Sequence, residues 1–229
     1  MAAEPGLRER KKQQTRQQIF QAAHRLFSER GFDAVTVADI ARLADVSEVT
    51  VFNYFPNKED LFFAGMQFFE EQLLEAVRMR PRGEPAIRAL KGRLLESVEN
   101  LGERGRIAQI LKAGDAMSSS PSLAIREREI VDRYTRLLAE LLAGEAGIDP
   151  DDVEPMAAAA ALFGAHRAVV QRVRKQVIAG RRGAALIEDT RTQIQRAFGR
   201  LEKGLEDYAK QPNPAATPGT SPRAGKTRA

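Results

Sequence analysis

Residues 36–61 read TVADIARLADVSEVTVFNYFPNKEDL, a string that spells two short amphipathic helices joined by a tight turn. Thr36 with Asp39 three residues on is a capping-box arrangement, which opens a helix running to about Ala44. Asp45 and Val46 make the connection, and Ser47 can cap a second short helix to about Tyr54. Pro56 ends that helix, and Asn57 with Asp60 can cap a longer one. Ile40, Ala41, Val46, Val51 and Phe55 then fall together as a miniature core. Ala38, Ala41 and Ala44 supply the small residues that crossing helices need, and Leu26 and Phe27 from upstream can close the core. The arrangement is a helix-turn-helix. The opposite face of its second helix shows Ser47, Glu48, Thr50, Asn53 and Tyr54. Hydroxyl, carboxylate and amide groups suit phosphate and base-edge contacts in a major groove, whereas an ordinary surface helix more often shows Lys–Glu pairs.

Outward from this segment the whole chain reads as helix. No run alternates apolar with polar residues, and no Asn-Gly or Asp-Gly turn joins β-branched runs. Upstream, Ile19, Ala22, Ala23, Leu26 and Phe27 recur at helical spacing before a stop at Gly31. Residues 1–12, with Arg8, Arg10, Lys11 and Lys12 followed by Arg16, are expected as a disordered basic arm able to neutralise phosphates. Downstream, Phe62, Met66, Phe69, Leu73 and Val77 form one stripe of the fourth helix, which Pro81, Gly83 and Pro85 terminate. Further helices are expected at about 86–101, 104–116, 122–143, 150–179 and 184–209, the fourth of these starting with Asp149 as cap and Pro150 in its first turn. The domains expected are a helix-turn-helix head at 13–60 and a helical domain at 61–210, followed by a disordered tail at 211–229 rich in Pro, Ala, Gly and Thr.

Composition narrows the function. The chain has 229 residues, 43% hydrophobic and 29% charged, as expected of a globular protein. It has no cysteine, which excludes disulfides, thiolate metal sites and a cysteine nucleophile, and only two histidines, far apart in sequence. Little remains from which to build an enzyme site, and no cofactor or metal is implied. Gly225-Lys226-Thr227 has the ending of a phosphate-binding loop, but Gly219 stands one residue too far upstream. No apolar run approaches a membrane span, and the charged start is not that of a secretory signal, so a cytoplasmic protein without membrane partners is expected.

The stretch from Thr36 to Leu61 resembles the DNA-binding signature of TetR-family transcriptional regulators. AAHRLF at residues 22–27, followed by Gly31 and Phe32, is similar to that family's first helix and its exit. The resemblance covers roughly residues 15–65 and implies an all-α fold: a three-helix DNA-binding domain followed by a helical ligand-binding and dimerisation domain. It implies a homodimeric repressor of a palindromic double-stranded operator, released by a small-molecule effector. It further implies that Thr36 holds a backbone phosphate and that Ser47, Glu48, Val49 and Thr50 face bases and adjoining phosphates. By the same likeness Asn53 and Tyr54 reach the backbone or base edges, and Lys58 pairs with a phosphate. Many relatives carry a tyrosine where this chain has Phe52, so contact through that hydroxyl is lost and Phe52 is expected to pack. Glu48 can accept from a cytosine amino group or complement the helix N-terminus, the second being favoured.

In the regulatory half, Ile187, Ile194, Leu201 and Tyr208 recur every seven residues, interleaved with Phe198 and Leu205. With the small residues Ala157–Ala161, Gly164 and Ala168 of the preceding helix, they could build a four-helix dimer interface, or bury within one subunit. A ligand pocket between the fourth helix and the later ones would be lined by Phe62, Met66, Phe69, Leu94, Ile110, Met117, Tyr134, Leu138 and Phe163, which points to a mostly apolar effector. His166 and Arg167 could anchor a carboxylate or phenol. The alternative is a DNA-binding regulator without a small-molecule ligand, which a closed, filled core would favour.

Overall fold

Local hydrogen bonds start three of the first four helices where the sequence signals them. In the computed structural model, which describes residues 6–205, α1 spans Leu7–Arg30, α2 Val37–Leu43, α3 Glu48–Tyr54 and α4 Lys58–Arg78. The capping box of α2 is complete: Asp39 N donates to Thr36 Oγ1 and Thr36 N to Asp39 Oδ2, both at 3.1 Å. Ser47 Oγ accepts from Thr50 N at 3.1 Å, and Asn57 Oδ1 from Asp60 N at 2.8 Å. Between α2 and α3 the chain reverses at Asp45, which adopts φ 54°, a left-handed conformation that Asp tolerates better than most residues. Val46 N then bonds back to Ala41 O at 3.0 Å. The miniature core forms as expected. Ile40, Ala41, Val51 and Phe55 are buried with Ile19, Ala23, Leu26, Val35 and Leu61, and Val46 and Phe27 pack against them.

The remaining helices are α5 (Ala86–Ser97), a 3-10 turn (Val98–Gly102), α6 (Arg106–Ser119), α7 (Pro121–Ala146), α8 (Val153–Ile178) and α9 (Gly183–Leu205). Among the described residues there is no strand. A second core runs through α4, α5, α7, α8 and α9, with Leu73, Val77, Leu90, Leu94, Tyr134, Leu138, Phe163 and Phe198 inside it. Arg80, buried where α4 ends, donates to Val77 O and pairs with Glu145 on α7, fixing the α4–α5 turn to the bundle. One helix is seated differently: no residue of α6 is fully buried, and its apolar side chains Ile107, Ile110 and Met117 are half-exposed.

Three expectations are corrected. The first helix begins at Leu7, so residues 7–12 are helical rather than part of an arm. Arg, Glu, Lys and Gln are strong helix formers, and here propensity outweighs like-charge repulsion. The cap of α8 is Asp152, whose carboxylate accepts from Glu154 N, because Asp149 instead accepts from Asp151 N in its own turn. The α9 seam turns inward: Ile194 and Phe198 are fully buried in their own subunit, with Ile187 and Leu201 packed beside them. Amphipathic spacing identifies an apolar face without saying what covers it. Tyr208, the tail at 211–229 with its Gly225-Lys226-Thr227, and residues 1–5 lie outside the described residues.

Candidate functional site

The recognition surface is built on α3. Val51 and Phe55 hold its inner side in the head core, which leaves Ser47, Glu48, Val49 and Asn53 exposed and Thr50 and Tyr54 half-buried. Several of these polar groups are already engaged. The Thr36 hydroxyl donates to Asp39 Oδ2 at 2.7 Å, and Ser47 Oγ lies 2.8 Å from Thr50 Oγ1. The Asp39 carboxyl is held below its usual range, chiefly by the Thr36 hydroxyl and then by the Thr36 amide. The Lys58 ammonium donates to Phe32 O and Val35 O, both at 3.1 Å, and sits 4.2 Å from the Phe32 ring centroid. Two of its three N–H groups therefore staple the α1–α2 loop. Phe52 does not pack as expected. It is 47% exposed, beside Val49 at 70%, so the face offers apolar as well as polar surface. Arg16 of α1 lies alongside, its guanidinium 5.3 Å from the Phe55 ring centroid.

The head is joined to the bundle through polar links and rings. Asp60, buried at the start of α4, accepts from Arg126 of α7 at 2.6 Å and from Gln67 at 3.0 Å. Ser120 donates to Asp33 at 3.2 Å, and Lys112 of α6 donates to Ser28 O of α1 at 2.9 Å. Phe27, Phe32, Phe62 and Phe63 stack in sequence with centroids 5.0–6.1 Å apart across the same junction. The three links from Arg126, Ser120 and Lys112 join residues more than 60 positions apart, and sequence spacing carries no signal for them.

In the bundle, the expected pocket residues divide into two groups. Leu94, Tyr134, Leu138 and Phe163 are buried core, whereas Phe62, Met66, Phe69, Ile110, Met117 and Arg167 are half-buried. Tyr134 is also a polar strut, its hydroxyl donating to Gln67 O at 3.1 Å. His166 is buried, against Phe69 and Phe163 at 5.7 and 6.3 Å. Its Nδ1 faces Glu70 Oε1 of α4 at 3.6 Å. Glu70 was not foreseen from the sequence, since a lone glutamate on an otherwise ordinary helix carries no local mark. Burial pushes its carboxyl up to about 8 and the His166 imidazole down to about 4, so both are neutral at pH 7. A separate open groove of about 400 Å³ lies between α4 and α7, bordered by Phe68, Leu74, Tyr134, Leu137 and Glu71, and shares only Tyr134 with the expected pocket.

A helix-turn-helix head with a solvent-facing second helix, carried on a helical bundle, defines a DNA-binding regulator. Residues 19–64 match the family described as bacterial regulatory proteins, tetR family. Among similar proteins, the HTH-type transcriptional regulator TcmR of Streptomyces glaucescens is 29% identical over 65% of this chain and 67% of its own length. The nucleoid occlusion factor SlmA of Haemophilus influenzae is 26% identical over 60% of this chain, and the match spans 64% of that protein, just under two thirds. The crystal structure of a TetR transcriptional regulator from Rhodococcus sp. RHA1 superposes with a TM-score of 0.52 over 83% of this chain and 98% of that one, at 22% identity, a likeness of fold. Residues 19–64, the helix-turn-helix head, are thus the part of the chain that matches the tetR family. The family consists of regulators rather than enzymes. Among the described residues no helix is long and apolar enough to cross a membrane.

Proposed function

We propose that this protein is a cytoplasmic, ligand-responsive repressor that binds a palindromic operator as a homodimer and leaves it when a mostly apolar small molecule enters the bundle. The observation that carries the reading is the set of bonds between head and bundle: Arg126–Asp60, Ser120–Asp33 and Lys112–Ser28 attach α6 and α7 to α1, α4 and the loop between α1 and α2. An effector that displaces α6 or α4 must act on those links, and through them on the separation of the two recognition helices. A dimer reads half-sites about 34–36 Å apart, so a small change in that separation breaks simultaneous engagement.

On DNA, α3 would enter the major groove. Ser47, Thr50, Asn53 and Tyr54 would contact phosphates and base edges, and Glu48 would complement the helix N-terminus. Thr36 and the third proton of Lys58 would meet the backbone, and Val49 with Phe52 would meet thymine methyl groups. Dimerisation is supported by the outer face of α8, where Val153, Ala157, Ala160, Gly164 and Ala168 are exposed at helical spacing; small side chains let a partner helix approach closely. Selection of bound sequences from random DNA, followed by footprinting, tests the reading: a palindrome is expected, and a single unpaired half-site would refute dimeric binding.

A second reading, a regulator without an effector, is favoured by the filling of the core with Leu94, Tyr134, Leu138 and Phe163. One similar protein carries the name of a nucleoid occlusion factor rather than that of a transcriptional regulator. Operator affinity that stays unchanged across broad panels of apolar compounds would support it.

A further inference from the structure

Glu70 Oε2 is the one buried side-chain oxygen or nitrogen among the described residues that lacks a hydrogen-bond partner. An orphaned buried acceptor is costly, and a fold retains one chiefly where a water, ion or ligand completes it. The oxygen sits in the interior: Glu70 is 3% exposed and His166 5%, and the pair meets from α4 and α8 with the Phe69 and Phe163 rings against the imidazole. Met66 and Phe69 of α4 and Met117 of α6, the helix with no fully buried residue, are half-buried and pack against the same core. The arrangement is one open acceptor in an apolar interior.

We propose that Glu70, with His166 beside it, is the polar anchor of the effector site, and that it selects apolar molecules bearing a hydrogen-bond donor, above all a basic amine, over those bearing a carboxylate. This rests on the effector-responsive reading above. A hydroxyl donates to Oε2 directly. A neutral amine takes the Glu70 proton: the carboxyl O–H breaks, an N–H forms, and an ammonium–carboxylate pair is left with no net change in charge. Charge-assisted pairs of this kind are about twice as strong as neutral hydrogen bonds. A carboxylate ligand could take only the single Glu70 O–H, and it would bring a net negative charge into the apolar interior with no cation to pair it. This revises the expected choice of His166 with Arg167 as anchor for an acid: Arg167 is half-buried, whereas the buried partner of His166 is itself an acid.

A matched probe series tests the proposal: 4-phenylbutylamine, 4-phenylbutanol and 4-phenylbutyrate, with binding read by titration calorimetry and the thermal shift of the full chain. The amine should bind at least tenfold tighter than the butyrate, with the alcohol between them. Glu70→Gln keeps an acceptor oxygen but has no carboxyl proton to give up and forms no carboxylate, so it should hold the alcohol within about twofold and lose at least tenfold for the amine. Glu70→Leu should lose the preference for both donors while still melting cooperatively. Equal binding of the three probes, a preference for the butyrate, or an amine affinity untouched by Glu70→Gln would each overturn the anchor. Binding of none of them at millimolar concentration would also overturn it. If the butyrate binds and releases a selected operator in a gel shift, the effector-responsive reading survives and only the anchor falls.

Discussion

Replacing Glu70 with glutamine preserves the shape of a buried side chain and removes a titration, so it isolates what the Glu70–His166 pair does to stability. Unfolded, the two groups titrate near their ordinary values of 4.5 and 6.5; folded, burial moves them to about 8 and about 4. The carboxyl value is raised, so the folded chain holds a proton that the unfolded chain has lost, and stability falls as pH rises from 4.5 through 8. The imidazole value is lowered, so the unfolded chain binds a proton that the folded one refuses, and stability falls as pH drops from 6.5 through 4. Between 4.5 and 6.5 both states carry one proton on the pair and the two slopes cancel. Above 6.5 only the glutamate slope remains, about 1.4 kcal/mol per pH unit, which sums to about 2 kcal/mol by pH 8. Urea unfolding at pH 5.5, 6.5, 7.2 and 8.0 should therefore show a loss of about 2 kcal/mol on the alkaline side for the parent chain that Glu70→Gln lacks. Parallel curves for the two proteins across that range would refute the claim that Glu70 is buried as a neutral acid.

Other perturbations have equally definite outcomes. Phe55→Ala empties the head core and should cost about 3–5 kcal/mol, abolishing operator binding in a gel shift while the far-ultraviolet helical signal of the larger bundle persists. Ser47→Ala removes the cap of α3 and should lower thermal stability by about 1 kcal/mol and weaken DNA binding. Replacing operator thymines with deoxyuridine deletes only methyl groups; it should weaken the parent chain and leave the already weaker Val49→Ala, Phe52→Ala double variant unchanged, as measured by fluorescence anisotropy. Arg126→Ala strands the buried Asp60 with Gln67 and should cost about 3 kcal/mol. It should also reduce the change in operator affinity produced by any effector, measured as the ratio of dissociation constants with and without it.

The head was legible because its determinants are local. Thr36 with Asp39, Ser47 with Thr50 and Asn57 with Asp60 each act within three residues, and the alternation of small and large apolar residues between them fixes which face turns inward. Legibility stopped where a partner lies far along the chain. Nothing near Glu70 announces His166, and nothing near Asp60 announces Arg126. The α9 seam was visible as a seam, but its covering by α5 and α8 of the same subunit is a property of the assembled bundle. Phe52 failed for another reason: an aromatic residue is expected inside, and only its register against Val51 and Phe55 turns it outward.

The seating of α1 has a mechanical consequence. Its 24 residues make a rod of about 36 Å, gripped near the middle by Ile19 and Ala23 and tethered near one end at Ser28 by Lys112 of α6. The cationic side chains Arg8, Arg10, Lys11 and Lys12 occupy the opposite end. The arm from this fulcrum to the basic tip is about one and a half times the arm to Ser28, so a shift of about 1 Å at Ser28 swings the tip by about 1.5 Å the other way. A helix lying shallowly on the bundle is thereby geared to a cluster of positive charge.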